Sequence, residues 1–158
     1  DTFLPGHVSI VTQSGSIGDA FIACGPRIGF RCVVSCGGEV NRDAADLLAF
    51  LAEDEGTRAI GLFLETVRRP AAFEAALERA AAAGKPVVCL KVGRSEAAAR
   101  ATLAHTGALV GSARAFSALL RRTGAIEVSD LHDLFETLEV LGRERSIARL
   151  ADALAGIH

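Results

Sequence analysis

The sequence has no surplus of charge of one sign. Against 17 Lys and Arg stand 19 Asp and Glu, a formal net charge of −2 at pH 7 with both signs interspersed. It therefore offers no basic field to hold a nucleic-acid backbone and no cationic cluster to hold anionic lipid. No apolar run reaches the roughly eighteen residues that a membrane span needs, and the stretch from Asp1 to Gly6 lacks the basic and hydrophobic regions of a signal peptide. A cytoplasmic protein without nucleic-acid or membrane partners is expected. The cysteines, at 24, 32, 36 and 89, lack the paired CxxC spacing of a zinc or redox site. They are expected to be buried free thiols, with Cys36, beside Gly37 and Gly38, the one placed to line a ligand site.

Several catalytic signatures are missing as well. There is no GxxxxGK[ST] loop and no GxGxxG, so both nucleotide fingerprints are absent. No GxSxG elbow supports serine hydrolysis. The scattered His and Cys residues do not stand at metal-ligand spacing, so no structural metal is expected.

What is there is an alternation of strand-like and helix-like segments. The chain has 158 residues, 50% apolar and 23% charged, enough for one domain with a sizeable core. "HVSIVT" and "FRCVVSC" read as strands flanking a helix from Ser16 to about Ile28. Ala44, Leu47, Leu48 and Leu51 fall at helical spacing within 43–54, and "AIGLFLE" follows as a third strand. Pro70 can open the next helix and Gly84 can stop it before the strand "PVVCLKV". Helical spacing returns from Leu109 to Arg122, "AIEV" makes a short fifth strand, and Ser129 stands as N-cap of a helix over 130–141. A last helix is expected over about 146–155. Strands apolar on both faces and separated by helices predict a flavodoxin-like, doubly wound parallel sheet in three α/β/α layers.

In such sheets ligands gather at the carboxyl ends of the strands. The segments there are "QSGS", "GGEVN", "ETVRR" and "KVGRS", each polar or Gly-rich. Ser14, Gly15 and Ser16 would set free N–H groups and two hydroxyls at the positive end of a helix, an anion seat. The ordinary alternative is a Gly-containing turn with a Ser N-cap. Glu65, at the end of the third strand, would project its carboxylate toward anything bound at that edge, or else be a solvated loop residue. Lys91 and Arg94 supply cations after the fourth strand, where many such residues are only rim. His105, in "AHTGALVG", lies between an irregular stretch and a helix. A lone His is more often structural than nucleophilic. His7, His132 and His158 have no chemical neighbourhood, and Arg68, Arg69, Arg121 and Arg122 read as solvated charge.

Together these segments say more. "IVTQSGSIGDAF", "LLAFLAEDEGTRAIGLFLE", "GKPVVCLKVGRS" and "AHTGALVGS" occur in this order in one family. The chain resembles the succinyl-CoA-ligase-like flavodoxin domain of NDP-forming acyl-CoA synthetases, from about Gly6 to Leu141. The "ETVRRP" wording is closer to the fused acyl-CoA synthetases than to succinyl-CoA synthetase. The resemblance implies an acid-thiol ligase reaction in three stages. Acyl-CoA and phosphate give an acyl phosphate, the phosphoryl group moves to a histidine, and the phosphohistidine phosphorylates an NDP. The "HTGAL" position assigns His105 that role, in a loop over about 93–108. The resemblance matches Ser14, Gly15 and Ser16 to the helix N-terminus that holds the phosphoryl group and Glu65 to the carboxylate that orients the histidine. Thr106 and Gly107 are expected to bind phosphate too, and Lys91 and Arg94 are candidate contacts for CoA or acyl phosphate.

One domain over 1–158 is expected, without the CoA-binding Rossmann and ATP-grasp domains that family members carry. The chain, which begins at Asp1 rather than Met, is then one domain or subunit of a longer enzyme. No tightly bound cofactor is expected on it. CoA, ATP or ADP, phosphate, Mg2+ and a small acyl substrate belong to the complete enzyme, which is expected to oligomerise. A second reading keeps the fold as a non-catalytic CoA- or acyl-phosphate-binding regulatory module. Neither the carboxylic acid nor the choice of ADP or GDP is written in these residues.

Overall fold

The computed structural model describes residues 4–24, 27–39, 41–93 and 113–143. The expected loop residues Arg94, His105, Thr106 and Gly107 and the last helix, over 146–155, lie outside the described residues. Among the described residues five parallel strands form one sheet: β1 (Pro5–Thr12), β2 (Phe30–Ser35), β3 (Ala59–Leu64), β4 (Val87–Lys91) and β5 (Ile126–Val128). Their order is β2-β1-β3-β4-β5, the flavodoxin-like arrangement in which the order reverses between β1 and β3. The helices are α1 (Gly15–Ala23), α2 (Ala44–Glu53), α3 (Pro70–Ala82), α4 (Ala113–Arg122) and α5 (Leu131–Gly142).

The sheet is covered on both faces, which is why β3 is buried at every residue. Alternation along β3 divides the core. Ile60, Leu62 and Leu64 pack with Leu48, Leu51, Phe73, Leu77 and Leu120 of α2, α3 and α4. Ala59 and Phe63 face the opposite layer with Phe21 of α1 and Leu134 and Leu138 of α5. There Phe21 and Phe135 stack with ring centroids 4.3 Å apart. Among the described residues no helix is long and apolar enough to cross a membrane.

Local signals set most helix ends. Asp43 caps α2 through a reciprocal box, its Oδ1 accepting from the Asp46 N–H (3.1 Å) while Asp46 Oδ2 accepts from the Asp43 N–H (3.4 Å). Pro70 stands in the first turn of α3. At its other end Gly84 takes φ +67, and the N–H of Lys85 reaches back to Ala80 O (2.9 Å). Two expectations need correction. The first helix begins at Gly15 and ends at Ala23, well short of Ile28. Asp130, not Ser129, caps α5, because its carboxylate accepts from the Asp133 N–H at 2.9 Å.

Candidate functional site

The carboxyl edge of the sheet is built around the β1–β3 switch point. Ser14 opens α1 in extended backbone but gives no side-chain cap. Its carbonyl accepts from Gly18 N–H (3.1 Å) and from Thr12 Oγ1 (2.9 Å), and its own N–H donates to Thr12 Oγ1 (3.0 Å). Gly15, Ser16 and Ile17 thus lie ahead of the first intrahelical bond, where N–H groups point out of the helix end. Ser14 Oγ and Ser16 Oγ are 3.1 Å apart on the exposed rim. This is the arrangement of donors that an anion needs.

Glu65 is the first residue beyond β3 and is half-buried. Its N–H donates to Gln13 Oε1 (2.5 Å) and its carbonyl accepts from Lys91 Nζ (3.2 Å). Its carboxylate makes no hydrogen bond or ion pair among the described residues.

Lys91 is only 6% exposed. Its ammonium donates to the carbonyls of Glu65 and Val92 (3.4 Å) and lies 5.7 Å from the centre of the Phe116 ring. A cation in that position ties the end of β4 to the end of β3.

Two residues that sequence reasoning passed over organise this edge. Gln13 sends its amide across the end of β3, and Glu39, in the turn after β2, meets it with a carboxylate only 3% exposed. Glu39 Oε1 accepts from Gln13 Nε2 (2.7 Å) and from Ala44 N–H (2.9 Å), while Oε2 accepts from Arg68 Nε (3.0 Å). Arg68 also donates to Gly38 O (3.0 Å). Arg69 grips Asp43 with two 2.7 Å bonds and Asp46 with one of 2.6 Å. Arg68 and Arg69 are therefore not idle solvated charge, because each neutralises a carboxylate that a loop or helix end has partly buried. Arg122 likewise pairs with Glu74. The available signal was a polar residue directly after each strand, but which of them meet depends on strand order.

None of the four cysteines forms a disulfide among the described residues; Cys89 is buried and the others are partly exposed. Cys36 does sit at this edge, its Sγ 3.5 Å from Thr12 O. Burial, then the Glu39 charge, push its thiol up to about 11, so it is held as the weakly reactive protonated form. His7, in β1, pairs Nδ1 with Gly56 O (3.0 Å) at the opposite end of the sheet. Among the described residues no group of three or more His, Cys, Asp or Glu could hold a metal ion.

Strand order, helix layers and a polar carboxyl edge define a flavodoxin-like domain with its candidate site at the switch point. The chain belongs to the succinyl-CoA-ligase-like flavodoxin domain family, whose profile matches residues 5–141. It is 37% identical over 141 residues to the alpha subunit of ADP-forming acetate–CoA ligase I of Pyrococcus furiosus. That alignment covers 87% of this chain and 30% of the relative. It is also 37% identical over 134 residues to the ADP-forming 4-hydroxybutyrate–CoA ligase of Nitrosopumilus maritimus, covering 83% of this chain and 19% of that one. Among solved structures, an acetyl-coenzyme A synthetase 1 of Ca. Korarchaeum cryptofilum in complex with phosphate and ADP superimposes with a TM-score of 0.77. The identity is 30%, over 90% of this chain and 31% of that one. The chain thus spans less than a third of the length of each of these relatives.

Proposed function

We propose that this chain is the phosphoryl-relay domain of an NDP-forming acyl-CoA synthetase, with His105 as the residue that carries the phosphoryl group. The observation that carries the reading is the edge just described. The start of α1, which the Ser14 side chain does not cap, and the Glu65 carboxylate, which has no partner among the described residues, flank the switch point of a chain that belongs to this family over nearly its whole length. An anion seat and an acid at the same sheet edge are what a transferred phosphoryl group and a histidine require.

In this reading phosphate attacks the acyl thioester to give acyl phosphate and free CoA. A neutral imidazole nitrogen of His105 then attacks phosphorus and the carboxylate leaves. The β-phosphate of an NDP next attacks the phosphohistidine, giving NTP and the free imidazole. Gly15, Ser16, Thr106 and Gly107 hold the phosphoryl oxygens, with the Ser14 hydroxyl at the rim. Glu65 accepts a hydrogen bond from the second ring nitrogen, which fixes the tautomer and stabilises the cationic phosphoimidazole. Arg94 and Lys91 are candidate contacts for CoA or acyl phosphate, and the burial of Lys91 favours Arg94 for direct contact. CoA, nucleotide and its Mg2+ bind on partner domains of the Rossmann and ATP-grasp types, and the cytoplasm, where CoA and nucleotide are held, is the setting.

The test is to incubate the complete enzyme with labelled ATP and Mg2+ and look for acid-labile, base-stable phosphate on the peptide containing His105. His105→Ala should abolish both that label and net acyl-CoA synthesis while the fold persists. Label surviving in the variant removes His105 from the role.

A further inference from the structure

Gln13 is the first residue after β1, and its side chain does not point to solvent as a loop glutamine could. Its Oε1 accepts from the N–H of Glu65 (2.5 Å) and of Thr66 (2.9 Å). Its Nε2 donates to Thr66 O (2.9 Å) and to Glu39 Oε1 (2.7 Å). Two donors face the oxygen and two acceptors face the nitrogen, so the amide has one orientation and its hydrogen-bonding capacity is full. Behind it, Glu39 is surrounded by donors from Gln13, Ala44 and Arg68, and it adopts φ +53, a left-handed conformation costly for a side chain with a Cβ. Strain of that kind persists where surrounding contacts over-determine it, and it concentrates at functional sites.

We propose that Gln13, held by Glu39, is a positioning residue for the relay. It fixes the backbone that carries Glu65 while its chain neighbour Ser14 fixes the start of α1. One residue thereby sets the carboxylate and the anion seat relative to each other. A purely local turn would meet the N–H of the buried Thr66 with a partner a few residues away. The amide instead ties residues 52 and 53 positions away in the chain to the strand that opens the seat. Positioning of this kind acts on the chemical step, because a reacting histidine misplaced by about an ångström loses much of its rate. The inference rests on the relay reading of the same edge.

The experiment has two arms. In the 158-residue chain, Gln13→Met keeps volume and removes every side-chain hydrogen bond of residue 13, and amide exchange at Glu65 and Thr66 should accelerate relative to exchange in β3. In the complete enzyme, rapid-quench measurement should give a phosphoenzyme forming at least about tenfold more slowly, with KM for CoA and nucleotide unchanged. Gln13→Glu, which sets two carboxylates together, should lose as much. Combining it with Glu39→Gln restores a donor–acceptor pair and should recover at least about threefold of the lost rate. A wild-type phosphorylation rate in Gln13→Met, or no recovery in the double variant, overturns the proposal. Absence of phosphoenzyme in the unmutated enzyme would instead overturn the relay reading itself, with the exchange arm unaffected, so the two failures are distinguishable.

Discussion

Arg69 grips Asp43 with two hydrogen bonds of 2.7 Å, joining the residue just before α3 to the residue that caps α2. Those bonds hold the Asp43 carboxyl below its ordinary range, with help from the Asp46 N–H. Asp43→Ala removes the cap, the box and the ion pair at once. It should lower unfolding free energy by about 1–2 kcal/mol, measurable in urea with an unchanged m-value. Arg69→Ala should cost less, because its guanidinium is half in water.

Asp54 gives the fold an acid limb. Hydrogen bonds from Arg31 and then from Thr57 Oγ1 (2.7 Å) lower its carboxyl from 3.8 to about 2. A depressed carboxylate contributes stability above its unfolded pKa and loses it as pH falls through the folded value. The Tm difference between wild type and Asp54→Asn should therefore be constant from pH 7 to about 5 and shrink between about 4 and 2. A difference that persists undiminished at pH 2 contradicts this assignment.

Gly61 lies at the centre of β3 facing α5. A Cβ there would stand 2.6 Å from Leu138 Cδ1 and 2.7 Å from Ile10 Cδ1, both in the core. Gly61→Ala should overpack the layer and cost about 1–3 kcal/mol in chemical denaturation. Adding Leu138→Ala should recover part of the loss, since the two changes share one space.

Glu65→Gln keeps shape and removes charge. If the Glu65 carboxylate supports a phosphorylated imidazole, the phosphoenzyme should form at least about tenfold more slowly, roughly 1.4 kcal/mol in the barrier. Thermal stability should hold, because that carboxylate makes no bond among the described residues. A wild-type rate would reduce Glu65 to a solvated loop residue.

Elements were legible because their signals are local. The helical spacing of Ala44, Leu47, Leu48 and Leu51, Pro70 at a helix start, Gly84 at a helix end and the all-apolar "AIGLFL" each depend on neighbours within a few residues. The same rules erred where the choice was between adjacent residues, as with Ser129 and Asp130, since only the backbone turn decides which carboxylate or hydroxyl meets the N–H. The strand-end rule also picked out Ser14, Gly15, Ser16 and Glu65, because the carboxyl edge of a doubly wound sheet is polar wherever its order runs.

Tertiary structure alone decided what those edge residues touch. Gln13 and Glu39 are 26 positions apart, and Gln13 and Glu65 are 52 apart. Nothing in either neighbourhood marks the three as partners. They meet because β1 lies between β2 and β3, which brings the three loops to one corner and leaves a buried carboxylate, an amide and two N–H groups to satisfy one another. The burial of Lys91 follows from the same placement, with the end of β4 beside that of β3 and α4 supplying the Phe116 ring. Sequence determined which segments form strands and helices and which end of the sheet is polar. The order of the strands, a property of the whole chain's packing, determined how that end is wired.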